Sequence, residues 1–251
     1  MFKAAQRIGN EKIDCWSVFS PLALKTPNCV NLGQGFPSSP PPQYILKNKI
    51  PESGHQYSPP SGIAALKSAL LEYYKKWKIS GDICVTSGAN EAIFATLAAY
   101  INPGDEVIVF EPFFDQYTSN IVFQGGVVKA VPLQPPNWNI PYQQLKEAIT
   151  SRTRIIIFNS PHNPSGKVFS YDEMLELSQI VKERNILVIA DEVYHELTFD
   201  VPHIPFSNLP DMYDYTVTIG SAGKMFSATG WRIGWALGKP SIVQNVRLLF
   251  I

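Results

Sequence analysis

Polar residues collect at a few points along this chain, and each group suits a different task. Ser87-Gly88-Ala89-Asn90 follows an apolar run and opens a helical pattern. A glycine turn into a helix N-terminus presents free N–H groups and the positive end of the helix dipole, a setting for a phosphate. Further on come Glu111-Pro112-Phe113-Phe114-Asp115, the turn-rich Ser160-Pro161-His162-Asn163-Pro164-Ser165-Gly166, and Asp191-Glu192-Val193-Tyr194. An acid just where a buried strand ends costs free energy unless it has a partner. Ser221-Ala222-Gly223-Lys224 follows, and then Trp231-Arg232. Taken singly, each has an ordinary reading: an N-cap serine, a core aromatic, a turn, a capping acid, a solvated lysine. Neither nucleotide fingerprint, G-x-x-x-x-G-K-[ST] or G-x-G-x-x-G, is present at the glycine turn.

The elements that must position these groups can be read from periodicity. Ile63, Leu66, Leu70, Tyr74 and Trp77 recur at steps of three and four and predict an amphipathic helix. Short apolar runs at 83–86, 106–110, 127–132, 154–159, 186–190, 215–219 and 233–237 then predict strands. Helical patterns lie between them, near 89–101, 114–123, 141–150 and 170–184. The last opens with a capping box, Ser170 to Glu173. Near-continuous hydrophobic strands alternating with helices imply an α/β fold of three layers, α/β/α, around a mainly parallel seven-stranded sheet. Ligands of such sheets gather at the carboxyl ends of strands, which is where every polar group above falls.

Composition narrows the class. The 251 residues hold 21 basic and 21 acidic side chains and are 45% hydrophobic, a globular rather than a disordered balance. The neutral charge offers no footprint for nucleic acid and no polybasic membrane patch. No apolar run approaches the roughly 20 residues of a membrane-spanning helix. Three scattered cysteines, Cys15, Cys29 and Cys84, argue against a disulfide framework and for a reducing compartment. The acid-free Met1–Arg7 faintly mimics a mitochondrial presequence. Prolines crowd residues 20–61, including Pro40-Pro41-Pro42 and Pro59-Pro60, and predict an extended arm or wrapping loop. The chain is therefore divided into an arm and substrate-lining segment, 1–61, and a large domain, 62–251.

Individually weak, the polar groups are specific as an ordered set. Leu32-Gly33-Gln34-Gly35-Phe36-Pro37, Gln56-Tyr57-Ser58-Pro59, Glu111 through Tyr117, Asn163-Pro164, and Ser221-Ala222-Gly223-Lys224 through Gly230-Trp231-Arg232 carry a resemblance from Trp16 onward. The chain resembles the fold-type I, class I aminotransferases that use pyridoxal 5′-phosphate, closest to their kynurenine aminotransferase and cysteine-conjugate β-lyase group. The resemblance implies that Lys224 carries the cofactor as a Schiff base and moves protons. It implies that Asp191 holds the pyridine nitrogen protonated, that Tyr194 and Asn163 bond the ring hydroxyl oxygen, and that Phe114 stacks on the ring. Gly88, Ala89, Asn90, Ser221 and Arg232 would hold the phosphate. Tyr57 would reach the phosphate of a neighbouring subunit, which implies a homodimer. Trp16, Gly35 and Asn163 would line the substrate pocket, whose aromatic wall suits kynurenine or another bulky amino acid, with a 2-oxo acid as the second substrate. No metal is implied. The family's small C-terminal domain, with the arginine that grips the substrate carboxylate, is not contained in the 251 residues. Ser38-Ser39 stands where relatives often have an acid.

Other readings are set beside this one. The same residues support C–S β-elimination when the substrate carries a β leaving group. A chain lacking the small domain could also be a non-catalytic member of the fold. Ser221 and Lys224 match a Ser-x-x-Lys hydrolase spacing, but the Lys-Thr-Gly and Ser-Asp-Asn elements do not follow. Glu192-x-x-His195 is half of a di-iron helix motif, without a second copy and just after a strand. The expected setting is the cytoplasm or the mitochondrion.

Overall fold

The apolar runs become the strands of one sheet: β1 (Asp82–Thr86), β2 (Glu106–Glu111), β3 (Val127–Pro132), β4 (Thr153–Asn159), β5 (Leu187–Asp191), β6 (Thr216–Ser221) and β7 (Gly234–Gly238). The computed structural model describes residues 2, 5, 7, 8, 15–31, 33, 35, 37, 39–48, 50 and 52–251. Most of Met1–Arg7, together with Leu32, Gln34, Phe36 and Ser38 of the sequence motifs, lies outside the described residues. Strand order is β1-β7-β6-β5-β4-β2-β3. Pairing is parallel from β3 across to β6, while β7 runs antiparallel to both β6 and β1. The expected mainly parallel, seven-stranded α/β sheet is therefore what forms.

Burial explains the run-like sequences. Strands β6 and β7 are buried at every position and β4 at all but one, as strands covered on both faces must be. The edge strand β3 is mostly open. Helices α4 (Ala89–Tyr100), α5 (Gln116–Phe123) and α9 (Pro240–Arg247) cover one face, over Val107, Val109, Ile155, Ile157, Ile189 and Ile219. Helices α6 (Tyr142–Ala148) and α7 (Tyr171–Arg184) cover the other, over Ile108, Phe110, Ile156, Phe158 and Val188. Helix α3 (Ala64–Tyr74) places Leu70 and Tyr74 against Trp235, Leu237 and Ile83. The Trp235 ring lies on Gly220, where any Cβ would collide with it. The α7 capping box forms as read: Ser170 Oγ accepts the Glu173 N–H, and Glu173 Oε2 accepts the Ser170 N–H.

Short helices interrupt the proline-rich segment 20–61, read from sequence as an extended arm or wrapping loop. Helix α1 (Cys15–Lys25) runs into it with Pro21 inside, and α2 (Gln43–Leu46) follows. A single proline removes one ladder donor and leaves the other amides free to bond, so the remainder of α1 can persist around it. Among the described residues, no helix is long and apolar enough to cross a membrane.

Candidate active site

The strand exits of β2, β4, β5 and β6 open onto one cavity of about 170 Å³. Its wall includes Ala89, Asn90, Phe114, Asn163, Asp191, Tyr194, Ser221, Lys224 and Arg232, all singled out from sequence. Gly88 lies behind the cavity. At φ 89° it caps α4 in a conformation that side chains rarely adopt, and a Cβ there would run into the Arg232 guanidinium. Gly234 lets β7 approach the same turn, since its Cβ would meet the backbone of Gly88 and Ala89. The first N–H groups of α4 have no acceptor within the helix. They therefore lie beside a guanidinium and the Ser221 hydroxyl, a donor set that fits a phosphate. The Asn90 side chain is engaged elsewhere: its Nδ2 donates to Gln116 at 2.9 Å and its Oδ1 accepts from Asn120 at 2.8 Å. Its backbone N–H is what it offers the cavity. Glu91, in the first turn of α4, accepts the Ser87 N–H.

Asp191 ends β5 and is 5% exposed. Burial pushes its carboxyl up to about 6, against the hydrogen bonds from Tyr117 and Val193 and the charge of Lys224, which pull it down. A buried carboxylate with this deficit calls for a cationic N–H donor. Lys224, on the short helix α8 (Ala222–Met225) after β6, has an ammonium 5.4 Å from the Tyr194 ring centroid. Its Nζ donates to the Gly35 carbonyl at 2.5 Å. Burial pushes the Lys224 amine below its usual value, and the Arg232 charge adds to this while Asp191 opposes it. Burial raises the Tyr194 phenol to about 12, and the nearby Asn163 side chain opposes the shift. The donor set thus fits pyridoxal phosphate: an anion cradle at one end, a buried carboxylate at the other, and an amine of depressed basicity between them.

Some expected residues stand apart. Gly35 reaches the site through its carbonyl. Trp16 lines a neighbouring cleft with Phe19, Cys29 and Asn31, and its Nε1 donates to Asp115 at 3.0 Å. Tyr57 is fully exposed and does not line the cavity. The Glu192 and His195 side chains of the di-iron-like spacing turn to different partners, His203 and Tyr73.

Tyr117 and Asn159 lie within the motif and the apolar run read from sequence, but that reading gave neither a role in the site. Asn159 braces two strand exits: its Nδ2 donates to the Asp191 carbonyl at 2.8 Å and its Oδ1 accepts the Asn163 N–H at 2.7 Å. A polar residue closing an otherwise apolar run, Arg154 to Asn159, was its signal.

Comparison with known proteins gives the same answer. Residues 27–249 match the family model described as aminotransferase class I and II. The Saccharomyces cerevisiae protein named "Probable kynurenine--oxoglutarate transaminase" is 42% identical over 91% of this chain and 58% of its own length. The kynurenine–oxoglutarate transaminase of Dictyostelium discoideum is 40% identical over 98% of this chain and 62% of its own. The crystal structure of Bna3p from Saccharomyces cerevisiae superimposes with a TM-score of 0.92 at 39% identity, covering 99% of this chain and 65% of that one. The chain thus spans about 60% of the length of the curated relatives it matches. Its fold, its cavity and its sequence agree, and the chain belongs to the class I and II aminotransferase family.

Proposed function

We propose that this chain forms the cofactor-binding part of a pyridoxal-phosphate-dependent aminotransferase acting on an aromatic or bulky, kynurenine-like amino acid and a 2-oxo acid. The observation that carries the reading is the convergence on one cavity of the Lys224 amine, the buried Asp191 carboxylate and the Gly88–Arg232 anion cradle. When bound, pyridoxal phosphate supplies an electron-withdrawing ring that stabilises negative charge at the α-carbon of an amino acid.

The chain's own residues would do the rest. Ala89 and Asn90 N–H groups, Ser221 Oγ and the Arg232 guanidinium bind the phosphate, and the α4 dipole adds to their attraction. Asp191 holds a proton on the pyridine nitrogen by staying charged beside it. Tyr194 and Asn163, which line the same cavity, would present donors to the ring hydroxyl, and Phe114 would pack on the ring. Lys224 Nζ, its basicity lowered by burial, would hold the cofactor through its aldehyde and would serve as the base for the substrate α-proton. Trp16 and Gly35 border the substrate side. The full exposure of Tyr57 supports a homodimer in which it reaches the neighbouring cradle.

The experiment is direct. Reconstitution with pyridoxal phosphate should give a yellow, borohydride-reducible chromophore, and Lys224→Ala should remove both the chromophore and any turnover of kynurenine with 2-oxoglutarate. Persistence of the reducible chromophore in Lys224→Ala would falsify the assignment.

A further inference from the structure

Tyr117 lies in the first turn of α5, buried at 2% exposure, and its hydroxyl donates to Asp191 Oδ2. The other carboxylate oxygen, Oδ1, receives only a long bond from the Val193 N–H, at 3.4 Å. Two carboxylate oxygens at the cavity wall are thus unequal: one is taken by a phenol, and the other keeps its acceptor capacity. The same Tyr117 ring stands edge-on to Phe114, with centroids 5.7 Å apart and planes at 83°. One side chain therefore touches both the acid and the aromatic that face the cavity.

The direction of the Tyr117 bond is fixed by chemistry. Burial and the Asp191 charge push the phenol well above its usual value, so it holds its proton and acts as the donor. A hydroxyl that donates to a carboxylate favours the charged form and makes it less basic. A charged carboxylate with one oxygen engaged and the other poorly bonded is set to receive one cationic N–H.

We propose that Tyr117 is a positioning residue that orients the Asp191 carboxylate, with Oδ2 engaged and Oδ1 only weakly bonded, and holds it ionised toward a cationic ring nitrogen in the cavity. The inference rests on the reading of the cavity as a pyridoxal phosphate site. By lowering the basicity of the carboxylate, Tyr117 leaves a shared proton on the ring nitrogen rather than on Asp191.

Tyr117→Phe keeps the ring and its packing on Phe114 and deletes the hydroxyl alone. In the cofactor-free chain, carbon-13 NMR of labelled aspartate, with the Asp191 signal identified by its loss in Asp191→Asn, gives the carboxyl titration. A hydrogen bond to a charged group predicts a midpoint higher by about one pH unit in Tyr117→Phe. Titration with pyridoxal phosphate, followed by fluorescence quenching, should show affinity weakened about tenfold by the same substitution. An unmoved Asp191 midpoint in a folded Tyr117→Phe chain overturns the proposal. If that variant does not fold, 3-fluorotyrosine at position 117, a stronger donor, should lower the midpoint, and no movement overturns the proposal equally. Failure of the wild-type chain to bind pyridoxal phosphate would instead overturn the functional reading, while the titration still decides the role of Tyr117.

Discussion

The Glu192 carboxylate ties together the two ends of the loop beyond β5: its Oε2 lies 3.2 Å from His203 Nε2, and its Oε1 accepts the Phe206 N–H at 2.8 Å. Both side chains are buried, and His203 Nδ1 has no hydrogen-bond partner among the described residues. Loss of Glu192 would leave a second imidazole nitrogen and a backbone amide buried and unpaired. Breaking such a pair by removing one member costs about 3–5 kcal/mol. Glu192→Ala should therefore lower the urea-unfolding free energy by about 3 kcal/mol or more. Glu192→Gln, which can still accept from Phe206, should lose less. Equal midpoints for the alanine variant and the wild type would show that the pair contributes nothing net.

Gly88 offers a test of the anion cradle. Its φ of 89° disfavours any side chain, and a Cβ would displace the Arg232 guanidinium. Gly88→Ala should weaken pyridoxal phosphate binding about tenfold or more, the loss of one charge-assisted contact. Gly166 is the control: its φ is also positive, at 74°, but a Cβ there meets nothing within 4 Å. Gly166→Ala should cost about 1 kcal/mol of stability and leave affinity unchanged. Equal affinity losses in the two variants would discard the cradle.

Asp191 and His162 should pull the pH dependence of stability in opposite directions. Burial lifts the Asp191 carboxyl from 3.8 to about 6, so between these values the folded cofactor-free chain holds a proton that the unfolded chain has released. That stabilisation is complete below the unfolded value and is lost as pH rises through about 6. Burial drives His162 the other way, from 6.5 to about 4. Its contribution is present above 6.5 and is lost as pH falls through about 4. Asp191→Asn should raise stability at pH 7 relative to pH 4 by about 3 kcal/mol more than in the wild type. His162→Gln should tilt the profile the opposite way. Urea unfolding at the two pH values measures both, and parallel profiles for all three chains would refute the account.

Thiol labelling should separate the cysteines. Cys84 is fully buried in β1 and desolvation pushes its thiol up to about 11, whereas Cys29 is exposed. In a Cys15→Ser background, Cys29 should react with an aromatic disulfide reagent at neutral pH within minutes. Cys84 should react only as the chain unfolds, since a buried, protonated thiol is inert. Two thiols labelled at one fast rate in the native chain would contradict the burial of β1.

Much of this was legible from the residues because the signals are local. Runs such as Arg154–Asn159 and Tyr215–Ile219 mark strands buried on both faces, and the polar residues at or just beyond their ends, Asn159 and Ser221, fall at the carboxyl ends where the cavity opens. What stayed hidden depends on distant pairing. Tyr117 sits in an aromatic-rich stretch that reads as helix core, and its partner Asp191 lies 74 residues away. Trp16 meets Asp115 across 99 residues, so its place beside the main cavity could not be read from spacing. Pro21 punctuates a segment that nonetheless turns helical, because one missing donor does not dissolve the rest of α1. The reversal of β7 is equally non-local, since nothing within Gly234–Gly238 records the direction of its neighbours.

That reversed strand makes the sheet depend on a long-range closure. Among the described residues β1 precedes the other strands of the sheet in sequence, yet it pairs with β7, which follows them all. Strands β2 to β6 can pair as they emerge, each finding an adjacent strand already made or soon to follow. Thr86, and with it the glycine turn that opens α4, waits for Gly234 opposite it. Closing so long a loop is entropically slow and leaves a strand edge exposed in the meantime. The anion cradle at Gly88 therefore depends on a contact between segments far apart in the sequence, and it is formed only where β7 has closed on β1.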